Sequence, residues 1–164
     1  MVNDDMHLID AAKILVITKK NKFIEVNWIE TELRFKKYIK DHKANKYIIT
    51  GFIASDESGH IRTLGFEGSD HSAAIFGSLF AVEKINIWTD LDGLYTADPS
   101  RVKKATVISR LSYNEAIDLA YFGVKIIHSQ AIQVAKYNNI PLKIANFYRQ
   151  DKSGTLISNK IIEA

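Results

Sequence analysis

Short apolar runs rich in β-branched residues alternate along this chain of 164 residues with stretches of helical periodicity. The runs have the length and composition of strands: 12–18, 23–26, 47–50, 85–88 and 142–145. No short period repeats, and no linker rich in Pro, Gly or Ser divides the chain. Strands that alternate with helices form an α/β fold with a mostly parallel sheet. We therefore expect one α/β domain with ragged ends.

Capping patterns mark where two of the helices begin. Asn27 with Glu30, and Ser112 with Glu115, place a polar N-cap three residues before a glutamate, which is the capping-box spacing. Gly123 is placed to end the second of these helices. Two more helices are expected, one from near Ser69 or Asp70 to about Val82 and one over 131–137.

The helix that begins at Asn27 carries an apolar stripe. Ile29, Leu33 and the pair 38–39 recur at helical spacing, so we expect them to form the buried face and the lysines to face water.

The composition and charge of the chain exclude several classes of site and partner. The chain has no cysteine, which excludes disulfides, thiolate zinc sites and cysteine nucleophiles. Carboxylates lie among the lysine clusters and the formal charge is only +3, so no nucleic-acid partner is expected. The modest positive charge suits a polyphosphate ligand. The apolar runs are too short to cross a membrane, and the first residues are polar and acidic. We therefore predict a cytoplasmic protein with no membrane association.

The first segment whose residues could form a binding or catalytic site is TLGFEGSDHSAA, residues 63–74. Its glycines allow backbone N–H groups to approach an anion, and Ser69 and Asp70 stand at the expected start of a helix, where the dipole favours negative charge. An ordinary glycine loop with a Ser or Asp N-cap explains the same residues. The local pattern leaves both interpretations open.

The second segment is IWTDLDGLYTADP, residues 87–99, which follows a predicted strand. In a parallel sheet, ligands gather beyond the carboxyl ends of strands. Asp90 and Asp92 around Gly93 are also typical of an Asx turn. The density of polar side chains favours a binding loop over a plain connection.

The third segment is YFGVKIIH, residues 121–128, in which Lys125 lies among apolar neighbours. Such a lysine either extends to solvent or supplies a point charge to a phosphate. Three histidines, His60, His71 and His128, lack the spacing of metal ligands, so no protein-bound metal is expected.

Taken in order, these segments resemble the aspartokinase branch of the amino-acid kinase family. The matching stretches are GFIASDESGHIRTLGFEGSDHSAAIFGSL, IWTDLDGLYTADP, LSYNEAIDLAYFGVKIIH and NIPLKIANFYRQDKSGTLI. The resemblance assigns residues 9–158 to the C-terminal, nucleotide-binding part of an aspartokinase catalytic domain, with tails at 1–8 and 159–164. It implies a three-layer α/β/α sandwich, a cytosolic homodimer or other homo-oligomer, and transfer of the γ-phosphoryl group of ATP, with Mg²⁺ held mainly by the nucleotide phosphates, to the side-chain carboxylate of aspartate.

The resemblance also implies residue roles. Catalysis would involve Asp70, which orients phosphate-binding lysines, and Lys125, which contacts phosphate. The nucleotide would be bound by Thr89, Asp90, Tyr95, Arg101, Lys125 and Ile126. The substrate or the transferred phosphate would lie at Gly68 and Ser69, beside Phe66 and Glu67.

Several departures from the family pattern bear on activity. The family's Lys-Phe-Gly-Gly loop and its C-terminal regulatory ACT pair do not occur in these 164 residues, so we expect little activity from the chain alone. The family sequence Gly-Arg-Gly-Gly-Ser-Asp is replaced at 65–70, with Phe66 for arginine and Glu67 for glycine. Phe66 removes charge-assisted bonds worth about 1.5–3 kcal/mol each. Ser100 replaces the arginine after Asp-Pro, with Arg101 one place later.

Three hypotheses follow from the pattern and its departures. The chain is an aspartokinase part that binds nucleotide, a non-catalytic dimerising or regulatory module of the same fold, or part of a kinase with another acceptor, such as carbamate, glutamate or uridylate.

Overall fold

The computed structural model describes residues 6–20, 23–65, 67–121 and 127–159. These residues fall into two compact units, unit 1 and unit 2, which divide between Ser72 and Ala73. The described strands are β1 (Met6–Ile9), β2 (Val16–Lys20), β3 (Phe23–Val26), β4 (Lys46–Ile49), β5 (Ile53–Asp56), β6 (Ile61–Thr63), β7 (Ile85–Thr89), β8 (Arg110–Leu111), β9 (Leu142–Asn146) and β10 (Thr155–Ile157). The described helices are α1 (Trp28–Asp41), α2 (Gly68–Leu79), α3 (Tyr113–Tyr121) and α4 (Ser129–Tyr137).

Unit 1 contains two sheets. β1 pairs in parallel with β4, and residues 6–8, assigned from the sequence to a tail, are part of β1. The second sheet has the order β3-β2-β5-β6. Its central pair, β2 and β5, is parallel, and β3 and β6 add to it as antiparallel edges. The core includes the fully buried side chains of Ile9, Ile14, Leu15, Val16 and Ala54.

The predicted strand over 12–18 begins only at Val16, because a 3-10 turn, Ala11–Lys13, precedes it. The carboxylate of Asp10 accepts a hydrogen bond from Ala12 N–H at 3.0 Å. Ala11 N–H donates to the hydroxyl oxygen of Thr50 at 2.9 Å. Such side-chain partners give the backbone an alternative to the hydrogen bonds of a strand. The first residues of the predicted strand therefore form a turn, and only those from Val16 onward are extended.

The buried face of α1 differs from the predicted one. Ile29 and Leu33 are 78% and 60% exposed, whereas Thr31 and Phe35 are buried. The hydroxyl oxygen of Thr31 accepts a hydrogen bond from Val16 N–H at 3.0 Å, which turns this face of the helix toward β2. The predicted N-cap is confirmed, since the side-chain oxygen of Asn27 accepts from Glu30 N–H at 3.1 Å.

Unit 2 is built on one sheet of order β7-β9-β10-β8. β7 and β9 are parallel, β10 and β8 are parallel, and β9 and β10 are antiparallel. One hydrophobic core joins the buried side chains of this sheet to those of α3 and α4; it includes Ile87, Tyr113, Ile132, Leu142 and Ile144. The predicted α/β class is confirmed. The antiparallel pair lies in the middle of the sheet of unit 2, whereas the four-stranded sheet of unit 1 has its antiparallel pairs at the edges.

Helices α3 and α4 of unit 2 both begin at residues whose side chains cap them. The Ser112–Glu115 capping box is confirmed: Glu115 Oε2 accepts from Ser112 N–H at 2.7 Å, and Ser112 Oγ accepts from Glu115 N–H at 3.2 Å. α4 begins after His128, whose Nδ1 accepts from Gln130 N–H at 3.1 Å. The predicted stop at Gly123 lies outside the described residues.

α2 begins in unit 1 and ends in unit 2. It starts at Gly68, next to the predicted start, and ends at Leu79, short of the predicted Val82. Ala81 adopts a φ of 50°, and the N–H groups of Ala81 and Val82 donate to the carbonyls of Ser78 and Gly77. A left-handed residue with these backbone bonds is a common way to end a helix. None of the helices within the described residues has the length and apolar character needed to span a bilayer.

Candidate functional site

The loop after β7 presents polar groups at the end of two parallel strands. β7 ends at Thr89, which pairs in register with Asn146 at the end of β9. Thr89 Oγ1 donates to Asp90 Oδ1 at 3.1 Å, and Asp90 is exposed. This edge of the sheet therefore offers a hydroxyl and a carboxylate to solvent at the position where parallel sheets bind ligands.

Asn146 locks this loop in place. Its Nδ2 donates to the carbonyl of Asp90 at 2.8 Å and to Oδ1 of Asp92 at 2.9 Å. Its Oδ1 accepts from the N–H groups of Tyr148 at 2.8 Å and Arg149 at 3.1 Å. The side chain is only 4% exposed, and these bonds use both donors and both lone pairs of the amide. Asn146 is thus a positioning residue for the loop.

The two aspartates of the loop have different surroundings. Besides Asn146, Asp92 accepts from Arg149 Nη1 at 2.7 Å, and its side chain is 14% exposed. Asp92 therefore holds the loop and the 146–149 turn together. Asp90 remains at the surface beside Thr89, which leaves its carboxylate accessible to a ligand.

Gly93 sets the turn that follows. Its φ is 143°, and a Cβ there would lie 2.6 Å from Thr155 Oγ1 and 2.9 Å from Val107 Cγ1. Leu94 N–H donates to Thr155 Oγ1 at 2.8 Å, and that hydroxyl donates to the carbonyl of Ile108 at 2.7 Å. Gly93 is needed because the backbone passes this close to Thr155.

The end of the loop carries Tyr95, Asp98 and Arg101. Tyr95 is half-buried and forms an antiparallel bridge with Val107. Hydrogen bonds from the hydroxyl and then the N–H of Ser100 lower the pKa of Asp98 below its ordinary value, with a smaller contribution from Arg101. Arg101 lies 3.5 Å from Asp98 and is largely exposed. Ser100 thus organises the turn, and the guanidinium at Arg101 faces solvent.

In unit 1, the predicted anion loop precedes α2. Gly65 has a φ of 88° and Glu67 a φ of 55°, so Glu67 occupies a left-handed conformation that favours glycine. Gly68 is crowded, since a Cβ there would lie 2.8 Å from Leu64 Cβ and 3.0 Å from Phe52 Cδ2. The family pattern has a glycine at position 67, which suits this left-handed conformation. Glu67 adopts the same conformation but departs from the family pattern.

Ser69 and Asp70 lie in the first turn of α2 rather than capping it. Ser69 is exposed, and its carbonyl accepts from Ser72 Oγ at 2.8 Å. Asp70 N–H donates to the carbonyl of Glu67 at 3.2 Å. The interpretation of Ser69 or Asp70 as a plain N-cap is therefore wrong, because the helix already begins at Gly68.

Three predicted site residues, Phe66, Lys125 and Ile126, lie outside the described residues. Within the ranges that are described, no group of three or more His, Cys, Asp or Glu side chains is arranged to hold a metal ion. The structure therefore places Thr89, Asp90, Tyr95 and Arg101 at the end of β7 and on the loop that follows it in unit 2, and Glu67, Gly68, Ser69 and Asp70 at the start of α2 in unit 1.

Both of these segments lie within the residues that match the model of a known family. The model of the amino acid kinase family matches residues 7–146, and the chain belongs to this family. Within it, the chain is similar to aspartokinases. It is 40% identical over 160 residues to bifunctional aspartokinase/homoserine dehydrogenase 1, chloroplastic, of Arabidopsis thaliana, a match that covers 96% of the chain. It is 35% identical over 158 residues to the bifunctional enzyme of Haemophilus influenzae, covering 95% of the chain.

Solved structures agree with this assignment. E. coli aspartokinase III in complex with aspartate and ADP matches with a TM-score of 0.84 and 28% identity over 94% of the chain. The UMP kinase of Bacillus anthracis, at 17% identity and a TM-score of 0.59, shares the fold. The predicted amino-acid kinase fold class is confirmed. The chain spans 17% and 19% of the two bifunctional relatives and 35% of the solved aspartokinase.

Proposed function

We propose that residues 9–158 form the nucleotide-binding part of the catalytic domain of an aspartate kinase, which transfers the γ-phosphoryl group of ATP to the side-chain carboxylate of aspartate. The observation that carries this proposal is the Thr89–Asp90 pair at the carboxyl end of β7, where the buried amide of Asn146 donates a hydrogen bond to the carbonyl of Asp90. The relatives named as aspartokinases, and the solved one with aspartate and ADP, support the choice of substrates.

In this proposal, the loop after β7 and the start of α2 bind different ligands. Thr89, Asp90, Tyr95 and Arg101 bind the nucleotide together with Lys125 and Ile126, and Mg²⁺ is held mainly by the nucleotide phosphates. Arg101 and Lys125 supply positive charge, which offsets the charge of a phosphoryl group in transfer.

The first turn of α2 binds the acceptor or the transferred phosphate in the same proposal. Gly68 and Ser69 line this position, and Asp70 orients phosphate-binding lysines. Phe66 and Glu67 weaken binding of an anionic acceptor, because a phenyl ring replaces a guanidinium and a carboxylate is added near the helix N-terminus. We therefore expect the isolated chain to bind nucleotide but to phosphorylate aspartate slowly. A cytoplasmic location remains part of the proposal, although the Arabidopsis relative is named as chloroplastic.

Calorimetric titration of the purified chain with ATP and Mg²⁺ tests the nucleotide site. We expect saturable binding that is lost in Lys125→Ala and weakened in Asp90→Ala. Lys152→Ala is the matched control, since Lys152 is an exposed lysine of unit 2 whose carboxylate neighbour, Asp151, lies 3.9 Å away. Absence of ATP binding by the unmodified chain, under conditions where it is folded, would contradict the proposal.

A second candidate is a non-catalytic dimerising or regulatory module of the same fold. The carboxylate of Glu67 at the start of α2 favours it, because a negative charge there is unsuited to an anion site. Aspartate-dependent formation of ADP separates the two candidates. We expect the double variant Phe66→Arg, Glu67→Gly to raise any such turnover if the site is catalytic. The same assay with carbamate, glutamate and uridylate tests another acceptor.

A further inference from the structure

Two histidines that are far apart in the sequence lie side by side in unit 1. His7 is in β1, and His42 is the C-cap residue of α1. The centroids of their rings are 4.8 Å apart, and the ring planes are inclined at 37°. His42 is exposed and His7 is half-buried, so a dissolved ion can reach the pair. The fold thus creates a pair of imidazoles that the spacing of histidines in the sequence does not reveal.

The ring of His42 is held in one tautomer by the end of α1. Its Nδ1 lies 3.0 Å from the carbonyl oxygen of Tyr38. Because a carbonyl oxygen only accepts hydrogen bonds, Nδ1 carries the proton and Nε2 carries the lone pair of the neutral ring. The ring of Tyr38 also stacks on that of His42, with centroids 4.3 Å apart and planes at 19°. These two contacts fix the direction in which the lone pair points.

His7 shares the same neighbour. Its Nε2 lies 3.1 Å from the hydroxyl oxygen of Tyr38. When Nε2–H donates to that oxygen, Nδ1 carries the lone pair. Within the described ranges, no hydrogen bond reaches His7 Nδ1 or His42 Nε2. Histidines that bind metals almost always donate the other ring N–H to an oxygen, and Tyr38 offers an oxygen to both rings.

The separation of the rings suits a single metal ion. Two imidazoles bound to one tetrahedral ion, with metal–nitrogen distances of about 2.0–2.1 Å, have their centroids about 5 Å apart. The C-terminal end of a helix carries a partial negative charge, which favours a cation beside His42. The exposed lysines Lys43 and Lys46 lie next to His42 in sequence and opposite Met6 in β4. Their charges lower the affinity for a cation.

We propose that His7 and His42 form a two-histidine site for a divalent transition-metal ion that prefers nitrogen ligands, such as Zn²⁺. Water completes the coordination, since no described His, Cys, Asp or Glu makes a group of three with this pair. Imidazole suits Zn²⁺, whereas Mg²⁺ takes oxygen ligands. The site is therefore distinct from the Mg²⁺ that accompanies a nucleotide. The bound ion ties β1 to the end of α1, independently of the proposed function.

Calorimetric titration of the purified, tag-free chain with ZnCl₂ tests the inference, with MgCl₂ as the comparison. We expect saturable binding of one Zn²⁺ and no saturable binding of Mg²⁺. His7→Ala and His42→Ala should each abolish the binding of Zn²⁺. Tyr38→Phe keeps the stacked ring but removes the hydroxyl that orients His7, and it should weaken binding by about tenfold or more. His60→Ala is the matched control, because the His60 side chain is 70% exposed on the β5–β6 hairpin.

Thermal melting followed by circular dichroism gives a second measurement and shows whether each variant folds. An ion that binds only the folded chain raises the melting temperature. Zn²⁺ should therefore raise that of wild type and His60→Ala, but not that of His42→Ala. Unchanged Zn²⁺ binding in both histidine variants would overturn the inference, because the ion would then lie elsewhere. A folded wild-type chain that shows no saturable binding of Zn²⁺ would also overturn it. Neither result bears on the binding of ATP, so the proposed function is tested separately.

Discussion

Glu67 occupies a backbone conformation that is costly for a residue with a side chain. Its φ of 55° lies in the left-handed region, which disfavours residues with a Cβ by about 1–2 kcal/mol. The carboxylate also stands beside the first turn of α2, where the chain's resemblance to aspartokinases predicts an anion. Glu67 thus combines a local strain with a charge that repels the expected ligand.

We predict that Glu67→Gly is more stable than Glu67→Ala by about 0.5–1 kcal/mol, because glycine relieves the left-handed strain and alanine retains it. Urea denaturation of both variants measures the difference. Equal stabilities, or a more stable alanine variant, would show that this backbone conformation is not strained in solution.

Residues of the site differ in how far the sequence reveals them. Thr89 and Asp90 follow an apolar strand directly, so their position at the sheet edge could be predicted from local pattern. Asn146 could not, because its partners Asp90 and Asp92 lie more than fifty residues earlier in the chain. The available signal was its place at the end of β9, since the carboxyl ends of parallel strands meet at one edge.

At the scale of elements, the turn after β7 depends on close packing against β10. Gly93 and Gly59 both have positive φ values, 143° and 83°, but only Gly93 is crowded. We predict that Gly93→Ala destabilises the fold by about 2–4 kcal/mol, because it adds overlap with Thr155 to backbone strain.

Gly59→Ala is the matched control for this prediction. A Cβ at Gly59 meets no heavy atom within 4 Å, so the change should cost only the backbone preference, about 1 kcal/mol. Thermal denaturation followed by circular dichroism measures both. A Gly93→Ala variant no less stable than Gly59→Ala would contradict the packing described around Thr155.

The start of α3 should depend on pH through its capping box. Hydrogen bonds from the N–H and then the hydroxyl of Ser112 lower the pKa of Glu115 below its ordinary value of 4.5. The folded chain thus binds this proton less readily than the unfolded chain. The stabilisation is present above about pH 4.5 and is lost as the pH falls through the lowered folded pKa.

We predict that Glu115→Gln lowers the melting temperature at pH 7 and that the difference from wild type shrinks below pH 4. Glu83→Gln, at an exposed position between α2 and β7, should show no such pH-dependent difference. Melting curves across this pH range are the measurement. A difference that stays constant down to pH 3 would mean that the carboxylate does not cap α3.

Elements with local signals were predicted best. Capping residues act within four positions, so Asn27 and the Ser112–Glu115 pair are visible in the sequence. The exposed face of α1 was not predictable from periodicity, because the bond from Val16 to Thr31 decides which side of the helix is buried. The β5–β6 hairpin was also missed, since its pairing depends on a turn organised by Asp56, which binds Ser58 and His60 N–H groups.

For the whole molecule, the two-stranded sheet of unit 1 exposes an apolar face. Leu8 and Ile48 are register partners, Met6 lies on the same side of β1, and all three are exposed. Parallel strands are normally covered on both faces. This uncovered face supports the expectation, implied by the resemblance to aspartokinases, that the chain forms homo-oligomers.

We predict that the chain elutes as an oligomer in size-exclusion chromatography with light scattering. The double variant Leu8→Lys, Ile48→Lys should shift it toward the monomer, because two charges would have to be buried on association. Ile61→Lys, at an exposed position on β6, is the control and should not. A monomeric wild-type chain at tens of micromolar would contradict this prediction.

The division into two compact units has a spectroscopic consequence. The chain has two tryptophans, and each unit contains one: Trp28 begins α1 in unit 1, and Trp88 lies in β7 of unit 2. The variants Trp28→Phe and Trp88→Phe therefore each leave a single fluorophore that reports on one unit. A denaturant titration of the two reads the unfolding of each unit separately, and coincident midpoints would mean that both unfold in one cooperative transition.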